Sequence, residues 1–130
     1  MATTTNTLAP ISGSAEILMF GQPLTTTIMT GTATALDATL TPAADQIARM
    51  FHLTLSYSAA PAVSVLTVED GSTVIWQCEI SASAPFVHVF DFSSKPLRSS
   101  RGAVLHAKVG SAGGSVVQTI SFIGDLMRAP

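Results

Sequence analysis

Apolar and polar residues alternate in short runs along most of this sequence, and a break rich in Gly, Pro, Ser or Asp follows each run. Alternation with period two predicts half-buried β-strands. Short strands in close succession are typical of β-sandwiches and barrels. The predicted strands are Arg49–Ser58, Val63–Ser81 as a hairpin of two, Phe86–Phe92, Ala103–Val109 and Ser115–Met127, with weaker candidates at Ala15–Phe20 and Ile28–Leu36.

These elements predict an all-β fold, a two-sheet antiparallel β-sandwich with an extended N-terminal arm. A jelly roll is the preferred form of sandwich, and an immunoglobulin-like arrangement is the alternative. Antibody-type domains pair two Cys residues around a core Trp, whereas this chain has one Cys. Thr41 and Pro42 also predict a short helical turn that ends by Ala48, because Thr caps a helix and Pro suits its first position.

The segment Val63–Ser81 gives the strongest local signal. Asp70-Gly71 lies between two runs of β-branched residues, which predicts a hairpin with a two-residue type I′ turn. A turn with these two central residues places Val65 opposite Trp76. The face of the hairpin that then points into the core carries Val63, Val65, Thr67, Val74, Trp76 and Cys78.

The opposite face of this hairpin is apolar as well. A sheet that is covered on one side should be polar on the other, so a second apolar face needs a covering surface. Either a loop or arm of the same chain lies over it, or another subunit binds there. The candidate interface residues on this face are Leu66, Val68 and Ile75.

Two other strands have a clear inward and outward face. Arg49–Ser58 is predicted to point Phe51, Leu53, Leu55 and Tyr57 inward and Met50, His52, Thr54 and Ser56 outward. Phe86–Phe92 is predicted to point Phe86, His88, Phe90 and Phe92 one way and Val87, Val89 and Asp91 the other.

Residues 1–42 differ in composition from the rest. They hold 12 of the 16 Thr residues and only two charged residues, Glu16 and Asp37. We therefore divide the chain into a Thr-rich N-terminal arm and edge strand, 1–42, and a β-sandwich domain, 43–130. The arm is either a Thr-rich leader followed by an edge strand or an extended segment that pairs with a neighbouring subunit, since both need an uncharged, β-prone sequence.

Charged residues make up 11% of the chain, compared with about 25% in an average globular domain. A dispersed monomer usually carries more surface charge, so this deficit favours a protein that works inside an assembly. The formal net charge of -2 gives no attraction to nucleic acid or membrane, and neither is an expected partner. The N-terminus lacks the basic region and apolar core of a signal peptide.

The sequence has no catalytic signature. Its three His residues, His52, His88 and His106, fall on three different predicted strands, which disfavours a shared metal site. Cys78 lies on a predicted core face and is expected to be a small buried hydrophobe. We therefore expect no enzyme activity, no metal and no cofactor.

The basic residues Lys95, Arg98 and Arg101 fall in one predicted loop. They either keep that loop in solvent or contact a partner, and they complete the candidate interface. Acidic residues gather instead on the hairpin, so a basic end and an acidic end could fix the register of a repeated interface. The acids concerned are Glu69, Asp70 and Glu79.

The sequence from Tyr57 to Phe86 resembles small proteins encoded beside the capsid genes of tailed bacteriophages. The shared features are Tyr57-Ser58-Ala59-Ala60-Pro61, a strand that ends at Asp70-Gly71, a second strand with a central aromatic, and a turn of small residues. The resemblance extends over about residues 50–125 and implies a capsid decoration, or cement, protein that forms a β-sandwich. It supplies no catalytic residues.

The resemblance further implies a virion location on the capsid exterior, synthesis in the host cytoplasm, and the major capsid protein as partner. Self-association is expected, with a trimer favoured and a dimer as the alternative. The competing function is a carbohydrate- or receptor-binding module of a fibre or tail tip. Sugar-binding sandwiches usually expose flat aromatic rings, whereas Trp76 and Tyr57 lie on predicted core faces.

Overall fold

The computed structural model describes residues 24–82 and 86–129, and every regular element among them is a β-strand. The predicted all-β class is therefore confirmed. The strands are β1 (Thr25–Thr32), β2 (Leu36–Leu40), β3 (Gln46–Tyr57), β4 (Ser64–Asp70), β5 (Thr73–Ile80), β6 (Val87–Asp91), β7 (Leu97–Arg98), β8 (Leu105–Val109) and β9 (Val117–Arg128).

The strands form two antiparallel sheets that pack as a sandwich, which confirms the predicted architecture. Sheet 1 has the order β1-β9-β3-β6, with the short β7 also paired to β3. Sheet 2 has the order β2-β8-β4-β5. The chain crosses from one sheet to the other at most connections and places four main strands in each sheet. This connectivity is consistent with a jelly roll.

The hydrophobic core lies between the sheets, because the inward residues of both meet there. Trp76 of sheet 2 packs edgewise against Phe90 and Phe92, with ring centroids 4.8 Å and 5.3 Å away. These two phenylalanines share one face, as predicted, and that face packs against the core. Fully buried core residues include Leu53, Leu55, Ile120 and Phe122 from sheet 1, and Leu66, Val68, Leu105 and Ala107 from sheet 2.

A β-bulge in β3 changes one predicted face. The register between β3 and β9 shifts between Met50 and His52, so Met50 turns into the core and is fully buried. The predicted outward orientation of Met50 is therefore wrong. Gly124 lies opposite the bulge, where a side chain would collide with the backbone oxygen of Arg49. The confirmed inward residues of β3 are Leu53, Leu55 and Tyr57.

The β4–β5 hairpin forms, but its turn comes one residue later than predicted. Asp70 pairs with Thr73, so the central turn residues are Gly71 and Ser72. Of these two only Gly71 has a positive φ, 61°, which fits a type II′ turn rather than type I′. A tertiary contact favours this register, because the Asp70 carboxylate accepts hydrogen bonds from the amide and hydroxyl of Ser100.

The later turn and an adjacent bulge reverse the predicted faces of β4, whereas Trp76 of β5 packs against the core as predicted. Val68 lies opposite Trp76. Ile75 is the bulge residue of β5 and has no pairing partner on β4. Leu66 and Val68 are fully buried in the protein's own core, so their predicted place on an outer face that contacts a partner is wrong. Ile75 remains on the surface. The predicted core residues that are exposed instead are Val63, Val65 and Val74.

The sandwich begins before residue 43, the predicted start of its domain. Strands β1 and β2 are edge strands of sheet 1 and sheet 2 respectively. Leu36, Ala38 and Leu40 of β2 lie in the core, so this segment is part of the sandwich itself. The remainder of the predicted arm, with the candidate strand Ala15–Phe20, lies outside the described residues.

The predicted helical turn before β3 is wrong. The Gln46 amide donates to the Ala43 carbonyl at 3.0 Å, and the Gln46 side chain accepts from the Ala43 amide at 3.0 Å. These two bonds close a tight turn. Strand pairing overrides the weak helical signal here, because Ala48 already pairs with Leu126 in sheet 1.

Candidate functional site

The two sheets expose outer faces of different chemistry. On sheet 2, charged side chains of neighbouring strands form ion pairs. His106 Nδ1 lies 2.9 Å from Asp37 Oδ1, and Lys108 Nζ donates to Glu69 Oε1 at 3.0 Å. These pairs lie next to one another, because Glu69 is in register with His106, and Asp37 with Lys108. The part of this face formed by β2, β8 and Glu69 therefore has the composition of a surface in contact with water, whereas Val65 and Val74 expose apolar side chains farther along the same face.

The outer face of sheet 1 carries two adjacent cross-strand rows without a Lys, Arg, Asp or Glu residue. Strand pairing places one residue of β1, β9, β3 and β6 in each row. We call these eight residues the neutral face. The rows are Thr30, Thr119, Ser56, Val87 and Ile28, Ser121, Thr54, Val89.

The neutral face has hydroxyl groups at its centre and aliphatic groups at its rims. The hydroxyls of Thr30 and Thr119 lie 3.0 Å apart and form a hydrogen bond. The aliphatic side chains are strongly exposed, with Ile28 at 65%, Val87 at 57% and Val89 at 65%. The face can therefore bury apolar surface and offer hydrogen-bonding groups without having to desolvate a full charge.

The edge strand β1 lacks the usual protection against further pairing. Natural edge strands commonly carry a Lys, a Pro or a charged side chain that points inward. The segment Thr25–Thr32, TTTIMTGT, has none of these. Among the described residues no strand pairs with its outer edge. Its backbone groups are thus available to another extended segment.

Charged groups border the neutral face along β3. Arg49 donates to Asp125 through two bonds of 2.8 Å and 2.6 Å, and it also stacks over the ring of Phe51. The Asp125 side chain is almost fully buried. The hydrogen bond to Asp125 raises the pKa of Arg49, an effect that burial opposes. This pair is a structural clamp between β3 and β9.

A second charged group borders the face at the end of β6. The side chain and backbone amide of Ser93 both donate to Asp91 Oδ1, at 2.6 Å and 2.9 Å. The hydrogen bonds from Ser93 lower the pKa of Asp91, and the nearby His52 acts in the same direction. This carboxylate therefore stays ionised at neutral pH.

Four polar atoms at one end of the sandwich are buried without a hydrogen-bond partner among the described residues. They belong to Tyr57, Ser64, His88 and Gln118. Burial raises the pKa of the Tyr57 phenol, and the Ser64 hydroxyl beside it acts in the opposite direction. His88 stacks on Phe90 with an interplanar angle of 5°. These groups lie apart from both outer faces.

The basic loop lies beside the hairpin turn rather than at the opposite end. Ser100, between Arg98 and Arg101, donates its amide and hydroxyl to Asp70. Glu69 is already paired with Lys108 within sheet 2. The predicted separation of a basic end from an acidic end is therefore wrong for Asp70, because this acid lies beside the basic loop. Arg98 and Arg101 instead border a cleft.

The three histidines are not brought together. His52 is on the outer face of sheet 1, His88 points inward from β6, and His106 is on the outer face of sheet 2. In the described part of the chain, no group of three or more His, Cys, Asp or Glu residues is placed to hold a metal ion. Nor do the described residues contain a helix that could cross a membrane.

Sequence reasoning identified part of the candidate site. It predicted that Val87 and Val89 lie together on the face opposite the phenylalanines of this strand. It also predicted that Ile75, Lys95, Arg98 and Arg101 contact a partner, and that contact remains a prediction. It missed Ile28 as an exposed rim residue, although the alternating Thr residues of β1 were visible in the sequence. The register between β1 and β9, which aligns the hydroxyl rows, has no signal in the sequence of either strand alone.

No protein-family model matches this sequence, and the search of curated proteins gives no match. Similar solved structures include an insecticidal delta-endotoxin from Bacillus thuringiensis, with 18% identity and a TM-score of 0.40. The match covers 79% of this chain and 19% of the toxin chain. Another is the structure of Tomato aspermy virus, with 12% identity, a TM-score of 0.38, and coverage of 82% of this chain and 79% of the other.

This chain thus spans about a fifth of the length of the toxin chain that it matches. Both TM-scores are below 0.5. The resemblance to phage decoration proteins remains a prediction from the sequence.

Proposed function

We propose that this chain is a structural virion protein that decorates the outside of a phage capsid and bridges its subunits. The neutral face is the docking surface, and the outer face of sheet 2 points to solvent. One observation carries the proposal: sheet 2 has paired charges across its outer face, whereas the two central rows of sheet 1 have none.

The physical argument concerns desolvation. The centre of a protein interface is depleted in charged residues, because a charge removed from water must be fully compensated. The exposed aliphatic rims formed by Ile28, Val87 and Val89 contribute favourable burial, at about 25 cal/mol per Å² of apolar area. The central hydroxyls can exchange hydrogen bonds with water for hydrogen bonds with a partner.

Three further features support a phage capsid as the partner of this surface. The strand order is consistent with a jelly roll, an architecture that viral capsid and lectin domains use. The charged fraction of 11% suits a protein held in an assembly. The sequence between Tyr57 and Phe86 resembles phage decoration proteins.

The partners in this proposal are the major capsid protein and further copies of the chain. The 23 residues that precede Leu24 lead into β1, the unprotected edge of sheet 1. A segment attached there starts at the rim of the neutral face, next to the surface that we assign to the shell. A trimer is the favoured oligomer and a dimer the alternative.

The experiment is co-sedimentation with capsids that lack this protein, using two matched variants. Thr54→Glu puts a charge at the centre of the neutral face, between Ser121 and Val89. Thr67→Glu puts the same charge on sheet 2, in register with Lys108. Both positions are half-buried and lie within long strands.

We expect Thr54→Glu to lower the bound fraction at least tenfold, and Thr67→Glu to pellet with capsids like the wild-type chain. Circular dichroism and thermal melting of both variants show whether the fold is retained. Equal binding by both variants would assign the docking surface elsewhere, and a wild-type chain that never pellets with capsids would contradict the proposed function.

The carbohydrate-binding alternative has no specific observation in its favour. Trp76, the aromatic residue best suited to stack on a sugar, uses its ring against Phe90 and Phe92. The proposal accordingly includes neither a carbohydrate ligand nor a catalytic role.

A further inference from the structure

The chain's six Lys and Arg residues divide into two groups of three. Arg49, Lys108 and Arg128 each form an ion pair with a carboxylate, at 2.6 Å, 3.0 Å and 3.6 Å. The other three have no carboxylate partner among the described residues. They are Lys95, Arg98 and Arg101, and they lie in one short segment around β7.

Two of these unpaired cations line one cleft. Arg98 and Arg101 border a cleft of about 410 Å³, together with the buried Ser99 and with Ile47 and Ala129. Both arginines are exposed to solvent. The planar guanidinium groups can each donate two parallel hydrogen bonds to a carboxylate or phosphate, which a lysine cannot do.

The backbone that carries the two arginines is fixed in place. The Ser99 amide donates to the Ala48 carbonyl at 2.9 Å, and the Ser99 hydroxyl accepts from the Ala48 amide at 3.0 Å. The Gly102 amide donates to the Gln46 carbonyl at 2.8 Å. A fixed backbone lowers the conformational entropy that is lost when the arginines bind a ligand.

The acidic residues near this cleft are already engaged. Asp70 accepts from Ser100, Asp45 pairs with Arg128, and Asp125 pairs with Arg49. Asp45 and Asp125 are therefore paired with other arginines, and neither Arg98 nor Arg101 forms an ion pair with a carboxylate of the described residues. Asp70 keeps its negative charge, because its hydrogen-bond donors on Ser100 are neutral, but one carboxylate leaves the two arginines with a net positive charge.

We propose that the Arg98–Arg101 cleft binds carboxylate side chains of an acidic peptide segment on a partner protein. Ile47 and Ala129 give the cleft an apolar part that suits the small apolar neighbours of an acidic residue. A nucleic acid is disfavoured, since none of the described residues that line the cleft is aromatic and able to stack on a base, and the net charge of the chain is -2. The identification of that partner as a shell protein rests on the proposed function, whereas the cleft itself does not.

The test measures binding of a fluorescein-labelled hexapeptide of alternating glutamate and alanine to the full chain, by fluorescence anisotropy at low salt. The control peptide has glutamine in place of glutamate. The double variant Arg98→Gln/Arg101→Gln is compared with Asp45→Asn/Arg128→Gln, which removes an exposed ion pair from the same end of the molecule and leaves no acid unpaired. All four positions are exposed, so thermal melting is expected to show a retained fold.

We expect the wild-type chain to bind the glutamate peptide and not the glutamine peptide, with affinity that falls as salt is added. The Arg98→Gln/Arg101→Gln variant should lose at least tenfold in affinity, and the Asp45→Asn/Arg128→Gln variant should change it by less than twofold. Equal binding by the Arg98→Gln/Arg101→Gln variant and the wild type would overturn the proposal. Stronger competition by polyuridine than by unlabelled peptide would also overturn it, in favour of a phosphate ligand.

Two further variants distinguish failure of the cleft proposal from failure of the proposed function. Thr54→Glu should leave peptide binding unchanged, because the neutral face is distinct from the cleft; a chain that binds peptide but not capsids would keep the cleft and reject the proposed function. Glu16→Gln tests whether the cleft binds the acidic residue Glu16 of the chain itself or an acidic residue of a partner protein. Tighter peptide binding by this variant would show that Glu16 occupies the cleft, and would overturn the assignment to a partner.

Discussion

Asp70 and Ser100 join the hairpin turn to the basic loop. Asp70 Oδ1 accepts from the Ser100 amide at 2.8 Å, and Oδ2 accepts from the Ser100 hydroxyl at 2.6 Å. Hydrogen bonds to a charged acceptor are among the stronger ones in proteins. This contact helps to set the register of the hairpin and also holds the loop that presents Arg98 and Arg101.

Replacement of the Asp70 carboxylate should destabilise both the hairpin turn and the basic loop. We expect Asp70→Ala to lower the free energy of unfolding by about 1 to 3 kcal/mol, the range for hydrogen bonds to charged groups. Urea unfolding followed by the fluorescence of Trp76, the chain's single Trp, gives the measurement. The control is Glu79→Ala, which removes an exposed acid from the same hairpin and should change stability by less than about 0.5 kcal/mol. Similar losses for both variants would show that the Asp70 contact adds little.

Leu66 and its neighbour Val65 test the corrected faces of the hairpin. Leu66 is fully buried, whereas Val65 is 41% exposed. We expect Leu66→Ala to cost about 2 to 5 kcal/mol, because it removes packed methyl groups and leaves a cavity. Val65→Ala should cost less than about 1 kcal/mol, since its side chain already contacts water. The measurement is chemical denaturation of both variants, and a reversed order of the two losses would restore the face assignment made from the sequence.

The buried carboxylate of Asp125 depends on Arg49. Removal of one partner from a buried ion pair leaves the other charge without compensation and typically costs about 3 to 5 kcal/mol. Because Arg49 is partly exposed, we expect the lower end of this range for Arg49→Met. Arg128→Met breaks the exposed pair with Asp45 instead and should cost less than about 1 kcal/mol. Thermal melting compares the two variants, and a loss of equal size in both would contradict a special role for the buried pair.

Alternation along the chain was enough to predict the all-β class and the position of most strands. It failed where a single extra residue breaks the period, since the residues on one side of that position then point to the opposite face. The bulge at Met50 and the late turn at Gly71 are both of this kind. Each depends on a tertiary contact, the close approach of Gly124 to Arg49 in one case and the Asp70–Ser100 contact in the other.

The candidate site was less accessible to sequence reasoning than the fold. The outward Val residues of β6 could be predicted because that strand alternates without interruption. The neutral face as a whole could not, because its rows combine residues of four strands that are distant in sequence. Arg98 and Arg101 were identified as candidates from charge alone. The cleft between them depends on Ile47 and Ala129, which are distant in sequence and meet at one end of the antiparallel β3–β9 pair.

Tyr57 is the chain's single Tyr, so its ionisation can be followed directly by ultraviolet absorbance. Burial raises its pKa above the ordinary value of 10.0, since the charged phenolate is disfavoured in the core. The folded chain therefore binds this proton more tightly than the unfolded chain does. The resulting contribution to stability is fully present below pH 10.0 and is lost as the pH rises through the pKa of the folded state.

We expect the tyrosinate absorbance of the folded chain to appear at higher pH than that of the chain in denaturant. Tyr57→Phe should change stability at neutral pH by about 1 kcal/mol or less, because it removes at most one hydrogen bond between neutral hydroxyls, that with Ser64. In alkaline solution the variant should unfold at a higher pH than the wild-type chain, since it has no phenol to ionise. Coincident titration of Tyr57 in the folded and unfolded chains would contradict its burial between the sheets.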